Sequence, residues 1–123
     1  MNKFKLRANT LHFLLHGVHH LTPMDRTRLV APPVLSVFIY IFLTALIYPW
    51  VPTFTSYLCL AAGVLSGYLI YDEMHYYLHH GVNKNSPLWL QRLRTHHNDH
   101  HYKNYLLYYG VSNTFTDHLF GSI

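Results

Sequence analysis

The chain has 123 residues, half of them hydrophobic, with 9 Lys and Arg against 5 Asp and Glu and a formal charge of +4. So little charge and so much aromatic content exclude a disordered chain, the length excludes more than one ordinary domain, and the single Cys59 excludes a disulfide scaffold. The modest positive balance is not spread like a nucleic-acid surface, so no nucleic-acid partner is expected.

At the N-terminus Lys3, Lys5 and Arg7 precede Leu11-His12-Phe13-Leu14-Leu15. The apolar run is too short for a signal peptide, is interrupted by His12 and His16, and has no small-residue cleavage site after it. His16-Gly17-Val18-His19-His20 follows, an H-x-x-H-H pattern with His12 one helical turn earlier. Residues at i, i+3 and i+4 share a helix face, so His16, His19 and His20 are expected to point at one place.

From Leu29 to Tyr71 there is no Asp, Glu, Lys, Arg or His. The stretch is long enough for two membrane crossings of about 20 residues each. Tyr48-Pro49-Trp50-Val51-Pro52-Thr53 marks a turn near its centre, since proline breaks helices and aromatics favour the membrane interface. The fold class expected is all-α: an integral membrane hairpin with helices over about 32–50 and 53–71, and a helical His-rich cap. A buried hairpin in a soluble protein is the poorer reading, because a soluble helix normally keeps a polar stripe. Ala61-Ala62-Gly63 and Ser66-Gly67 would let another helix approach closely. All nine Lys and Arg fall in the two flanks, which a hairpin returns to one side; the positive-inside rule makes that side cytosolic.

Two more His clusters follow the hairpin. One is His75-Tyr76-Tyr77-Leu78-His79-His80; the other, His96-His97-Asn98-Asp99-His100-His101, repeats H-x-x-H-H at 97, 100 and 101. His75 with His79, and His97 with His100 and His101, have helical phase, so three separated clusters can converge. Eight such histidines exceed one four-ligand site and point to two metal ions, with neutral imidazole suiting Fe, Zn, Cu or Ni. Neither H-E-x-x-H nor a carboxylate-rich E-x-x-H pattern is present. His12, His80 and His96 are weaker candidates, and isolated His118 reads as structural. Asp72, Asp99 and Asp117 are candidates to accept the second N–H of a metal-bound imidazole. Tyr68, Tyr71, Tyr76, Tyr77, Tyr102, Tyr105, Tyr108 and Tyr109 suit an interfacial belt. Arg26, Arg28, Arg92, Arg94 and Lys103 could attract anionic lipid or an acidic electron donor, or serve only as a topological signal.

This pattern resembles the membrane fatty acid hydroxylase and sterol desaturase superfamily, and within it the fatty acid 2-hydroxylases of sphingolipid synthesis. The residues that carry the resemblance are His16-Gly17-Val18-His19-His20, Pro23-Met24-Asp25, Arg28-Leu29-Val30 and Pro32-Pro33. Tyr71-Asp72 through His79, His97 through Asn104, and Gly110-Val111-Ser112 agree as well. The resemblance runs from about Leu11 to Ile123 and implies metal ligands at His16, His19, His20, His75, His79, His97, His100 and His101. His12, His80 and His96 lie outside the family's ligand pattern. It further implies two metal ions, iron expected and zinc possible in the same positions, at the cytosolic face of the endoplasmic reticulum membrane. The implied reaction is O2-dependent hydroxylation at C2 of a long-chain fatty acyl group, free or in ceramide, with electrons from NADPH through cytochrome b5 and its reductase. The related sterol desaturases and methyl oxidases share the His boxes and are the nearest rival. A metal transporter is disfavoured, because residues 29–71 hold no polar ligand of that kind.

The family pattern also has an upstream H-x-x-x-x-H pair near the end of an earlier hairpin and, commonly, an N-terminal cytochrome b5 domain. The ten residues before Leu11 contain none of these. Residues 1–123 are therefore expected to be the C-terminal part of such a catalytic domain, truncated at its N-terminus. In isolation that part is expected to be inactive or nearly so, a non-catalytic fragment.

Overall fold

The computed structural model describes Thr10, residues 12–29 and residues 32–123; expectations for Lys3, Lys5, Arg7, Leu11, Val30 and Ala31 lie outside the described residues. Those described form helices and loops and include no strand, as the all-α reading requires. The chain divides into two compact units. One runs to Val30 and resumes from Met74 to Ile123; the other is Ala31–Glu73.

The second unit contains the apolar hairpin. Helix α2, Pro33–Ile47, opens with proline at its first turn, where the missing N–H costs nothing, and passes into a 3-10 turn at Tyr48–Trp50. Thr53 then caps the next helix: its Oγ1 accepts the N–H of Ser56 at 3.1 Å. This helix, α3, runs unbroken over Phe54–His80. No residue from Pro32 to Glu73 is buried, although the leg sequences are almost wholly apolar. Such exposure is unfavourable in water and suits lipid, and Pro33–Trp50 and Phe54–His80 both have the length and composition to cross a membrane. Within the unit Tyr57 links the legs, its hydroxyl lying 2.8 Å from that of Tyr40 and 3.0 Å from Thr44 Oγ1. The ring of Tyr48 meets that of Tyr57 edge-on at 5.2 Å.

The first unit opens with a π-helical turn, Phe13–Gly17, followed by the single turn α1, Val18–Leu21. The end of α3, from Met74 onward, belongs to this unit, as do α4, Leu88–Tyr102, and α5, Phe115–Phe120. Its small apolar core is Leu78, Val82, Leu90, Leu93 and Val111, with Met74 packed against it. On α4 the buried residues are Leu90, Leu93, His97 and His100, a spacing of three and four that makes one helix face. The same face is apolar at its start and imidazole at its end. Gly81 stops α3 where the chain must turn: a Cβ there would lie 2.2 Å from the Tyr77 ring.

Two details were not anticipated. The helix that holds the second expected crossing, about 53–71, continues to His80, so the hairpin leg and the second His cluster share one helix. Asp72 and Glu73 add charge there without adding a helix breaker. The first H-x-x-H-H was expected on a regular helix, yet His16 lies in a π-turn and His19 and His20 in the α-turn after it.

Candidate metal centre

All eight histidines expected as ligands come together in the first unit, in two groups. His19, His75, His79, His97 and His101 form one; His16, His20 and His100 form the other. Within each group the nearest ring nitrogens lie within 4.8 Å of one another. In the five-membered group the Nε2 atom of His97 lies 3.0 Å from that of His75, 2.9 Å from that of His79 and 3.1 Å from that of His101. The Nε2 atoms of His19 and His101 are 3.1 Å apart. In the three-membered group His16 Nε2 lies 2.8 Å from His20 Nε2 and 3.5 Å from His100 Nε2.

Each H-x-x-H-H divides between the groups, where the sequence reading had each pointing at one place. His16 and His20, at i and i+4, join the three-membered group, and His19, at i+3, joins the other. His97 and His101 join the five-membered group, and His100 crosses to the smaller one. The reason is rotation. Adjacent helical residues differ by about 100°, so i+3 and i+4 fall on opposite sides of i and can serve two centres.

Hydrogen bonding does not account for these contacts. An Nε2 atom carries one proton or one lone pair, so His97 cannot satisfy three neighbouring Nε2 atoms at once. The Nδ1 atoms of His19, His97 and His101 are buried with no hydrogen-bond partner among the described residues. Two nitrogens bound at right angles to one cation, at about 2.0–2.1 Å each, lie about 3 Å apart, which is the spacing seen. The donor set therefore fits metal.

Electrostatics agree. Burial lowers the pKa of His19 to about 4, helped by His79 and His16, and that of His20 to about 4, helped by His16 and His100. Burial, then neighbouring imidazoles, likewise depresses His16, His97 and His101. Near pH 7 these rings are neutral, the state in which imidazole offers a lone pair.

His100 is oriented from outside the groups. Its Nδ1–H donates to the Leu107 carbonyl at 2.7 Å, which leaves the lone pair on Nε2, facing His16. A backbone carbonyl carries no side-chain signature, so sequence reasoning missed Leu107. Among the acidic candidates Asp117 is buried and accepts from four groups. These are the backbone N–H of Tyr109 at 2.9 Å and of Gly110 at 2.7 Å, Ser122 Oγ at 2.7 Å and His96 Nε2 at 2.8 Å. Burial works to raise this carboxyl, but the bonds from Ser122, His96, Gly110 and Tyr109 outweigh it and hold the pKa below the ordinary value. Asp99 instead pairs with Lys103 at 2.8 Å, and Asp72 lies in the hairpin unit beside Tyr68.

The weaker candidates fall outside both groups. His12 lies on the exposed side of His16, with ring centres 6.1 Å apart. His80 lies against the Tyr76 ring in a tilted arrangement, His96 bonds Asp117, and His118 is exposed on α5. Arg26 lies over the Tyr76 ring at 5.9 Å, and Arg28 pairs with Asp25 at 3.1 Å.

An apolar hairpin with no buried residue and two sets of convergent imidazoles define a His-rich membrane protein with a metal-type centre. Residues 5–122 match the model of the fatty acid hydroxylase family, and the chain belongs to that family. It is 44% identical over 115 residues to the ceramide very long chain fatty acid hydroxylase SCS7 of Saccharomyces cerevisiae, covering 94% of this chain and 29% of that protein. It is 38% identical over 116 residues to the dihydroceramide fatty acyl 2-hydroxylase FAH2 of Arabidopsis thaliana, covering 94% and 48%. A solved structure described as full-length Scs7p, with only its hydroxylase domain visible, superposes with a TM-score of 0.79 at 44% identity. That likeness covers 91% of this chain and 41% of the solved one. The chain thus spans less than half the length of each of these relatives.

Proposed function

We propose that this chain is the metal-binding part of a membrane hydroxylase that adds a hydroxyl group at C2 of long-chain fatty acyl groups destined for ceramide. The observation that carries the reading is the sorting of eight imidazoles into a group of five and a group of three. In this reading His19, His75, His79, His97 and His101 hold one metal ion, and His16, His20 and His100 hold a second. Iron is the ion proposed, and zinc would accept the same nitrogens.

An alkyl C–H bond is neither acidic nor polar, so side-chain acids and bases cannot activate it; bound metal would supply the activation of O2 that the reaction needs. The rest falls to the protein. Neutral imidazoles leave the centre cationic, and the Leu107 carbonyl keeps His100 in the tautomer that presents Nε2. The exposed apolar length of α2 and α3 supports a setting among acyl chains, in which substrate would arrive laterally rather than through water. A carboxyl or amide end resists entering hydrocarbon, which holds C2 near the polar boundary. On α3 His75 follows Tyr71 by one helical turn, so the histidines begin where the apolar run ends. The basic flanks favour a cytosolic face, with the endoplasmic reticulum as the membrane and electrons delivered from NADPH by cytochrome b5.

The test is product analysis in yeast that lacks its own relative. The chain is expressed alone and as a replacement for the matching segment of that relative, and ceramides are read by mass spectrometry. The chimaera is expected to restore 2-hydroxylated ceramide, and His97→Ala with His100→Ala to abolish it. A chimaera that makes no 2-hydroxy product, or a double variant that still makes it, would sink the reading. A product altered on a sterol ring would favour the rival class.

A further inference from the structure

We infer that Asp117 is the positioning residue for the three-membered His group, acting through the loop at residues 104–110 on His100. The inference rests on the reading above that both groups hold metal.

That loop has no helix or strand to shape it. Its course is set by contacts at its two ends. At the first, Asn104 turns the chain, its Oδ1 accepting the N–H of Leu106 at 3.0 Å and its carbonyl that of Leu107 at 3.1 Å. At the second, both oxygens of Asp117 accept the consecutive N–H groups of Tyr109 and Gly110, while Tyr108 N–H donates to the Ser122 carbonyl at 2.6 Å. Tyr108 is held at φ 61, a left-handed conformation that a tyrosine adopts only where its surroundings insist. Between these ends sits the Leu107 carbonyl that accepts His100 Nδ1–H. Leu107 is two residues from Tyr109, so little slack separates the carboxylate from the carbonyl.

The same carboxylate holds the helix. His96 Nε2 donates to Asp117 Oδ2 at 2.8 Å, and His96 lies one turn before His100 on α4. One buried side chain thus fixes both partners of the His100–Leu107 bond relative to each other. Gly110 makes the arrangement possible: a Cβ there would stand 2.6 Å from Asp117 Oδ2 and 2.0 Å from the Asn113 carbonyl oxygen. No comparable buried carboxylate touches the five-membered group among the described residues, so the effect should fall on one group and spare the other.

The experiment titrates Co2+ into the full chain in detergent and follows its visible spectrum, which reports the ligand set. Wild type is expected to take two ions. Asp117→Ala and Gly110→Ala should each weaken one ion about 10–100-fold while leaving the other unchanged, the usual cost of losing an outer partner of a metal-bound imidazole. His96→Gln, which keeps an N–H donor near the position of Nε2, should retain both ions, whereas His96→Leu should show the selective loss. Helix content by circular dichroism identifies a variant that does not fold, and the remaining variants then decide. Two ions bound as in wild type by Asp117→Ala and Gly110→Ala, or equal weakening of both ions in folded variants, would overturn the role of Asp117 and leave the two-ion reading standing. A wild-type chain that takes one ion or none overturns the two-ion reading and this inference with it.

Discussion

Leu78 stands between the two histidines that α3 contributes to the groups, and it is the most buried apolar residue among those described, at 1% exposure. It packs with Val82, Leu90, Leu93 and Val111, so the platform beneath His75 and His79 is only a few side chains wide. A core this small has little capacity to relax into a void. Leu78→Ala should therefore cost about 2–5 kcal/mol, the range for truncating a buried leucine. Denaturant unfolding of the metal-loaded chain, followed by Trp89 fluorescence in a Trp50→Phe background, measures it. A loss well under 1 kcal/mol would mean that the imidazole groups, rather than these five side chains, hold the unit together.

Among the elements, the hairpin was legible because its signal is an absence: no Asp, Glu, Lys, Arg or His interrupts Leu29 to Tyr71, and prolines mark the turn. The sorting of ligands was not legible. Spacing showed that each H-x-x-H-H could form one helix face, but which side of that face each ring takes depends on packing around it. The π-turn at Phe13–Gly17 has no sequence mark, and the groups that fix His100 and Asp117 include a carbonyl and two N–H groups, which every residue has. The legs also share a polar contact in an apolar setting: Tyr57, bonded to Tyr40 and Thr44. Between helices in lipid such bonds contribute about 0.6–2 kcal/mol. Tyr57→Phe should lower the stability of the hairpin by that order while leaving metal content unchanged, read by thermal unfolding in bicelles beside metal analysis. A variant as stable as wild type would show that the rings and not the hydroxyl join the legs.

At the scale of the whole molecule, the first unit is assembled from two chain segments separated by the hairpin, and the balance of contacts between them is unusual. In the segment from His12 to Leu29 the buried residues among those whose side chains are described are His19 and Leu29, one imidazole and one leucine. Its ties among the described residues are chiefly ring contacts of His16, His19 and His20 with His75, His79, His100 and His101, and Arg26 over Tyr76. Apolar burial by the described side chains therefore contributes little to its attachment. If metal bridges the imidazoles, the bridge supplies most of it, and an ion present at 100 times its dissociation constant adds about 2.7 kcal/mol, or roughly a hundredfold in opening. Chelation should raise hydrogen exchange in peptides covering residues 12–28 by about that factor. The first half of α4, anchored by Leu90 and Leu93, should change far less. Exchange that rises equally in both regions would mean that metal stabilises the unit as a whole, and exchange that rises in neither would mean that the first His cluster is held without it.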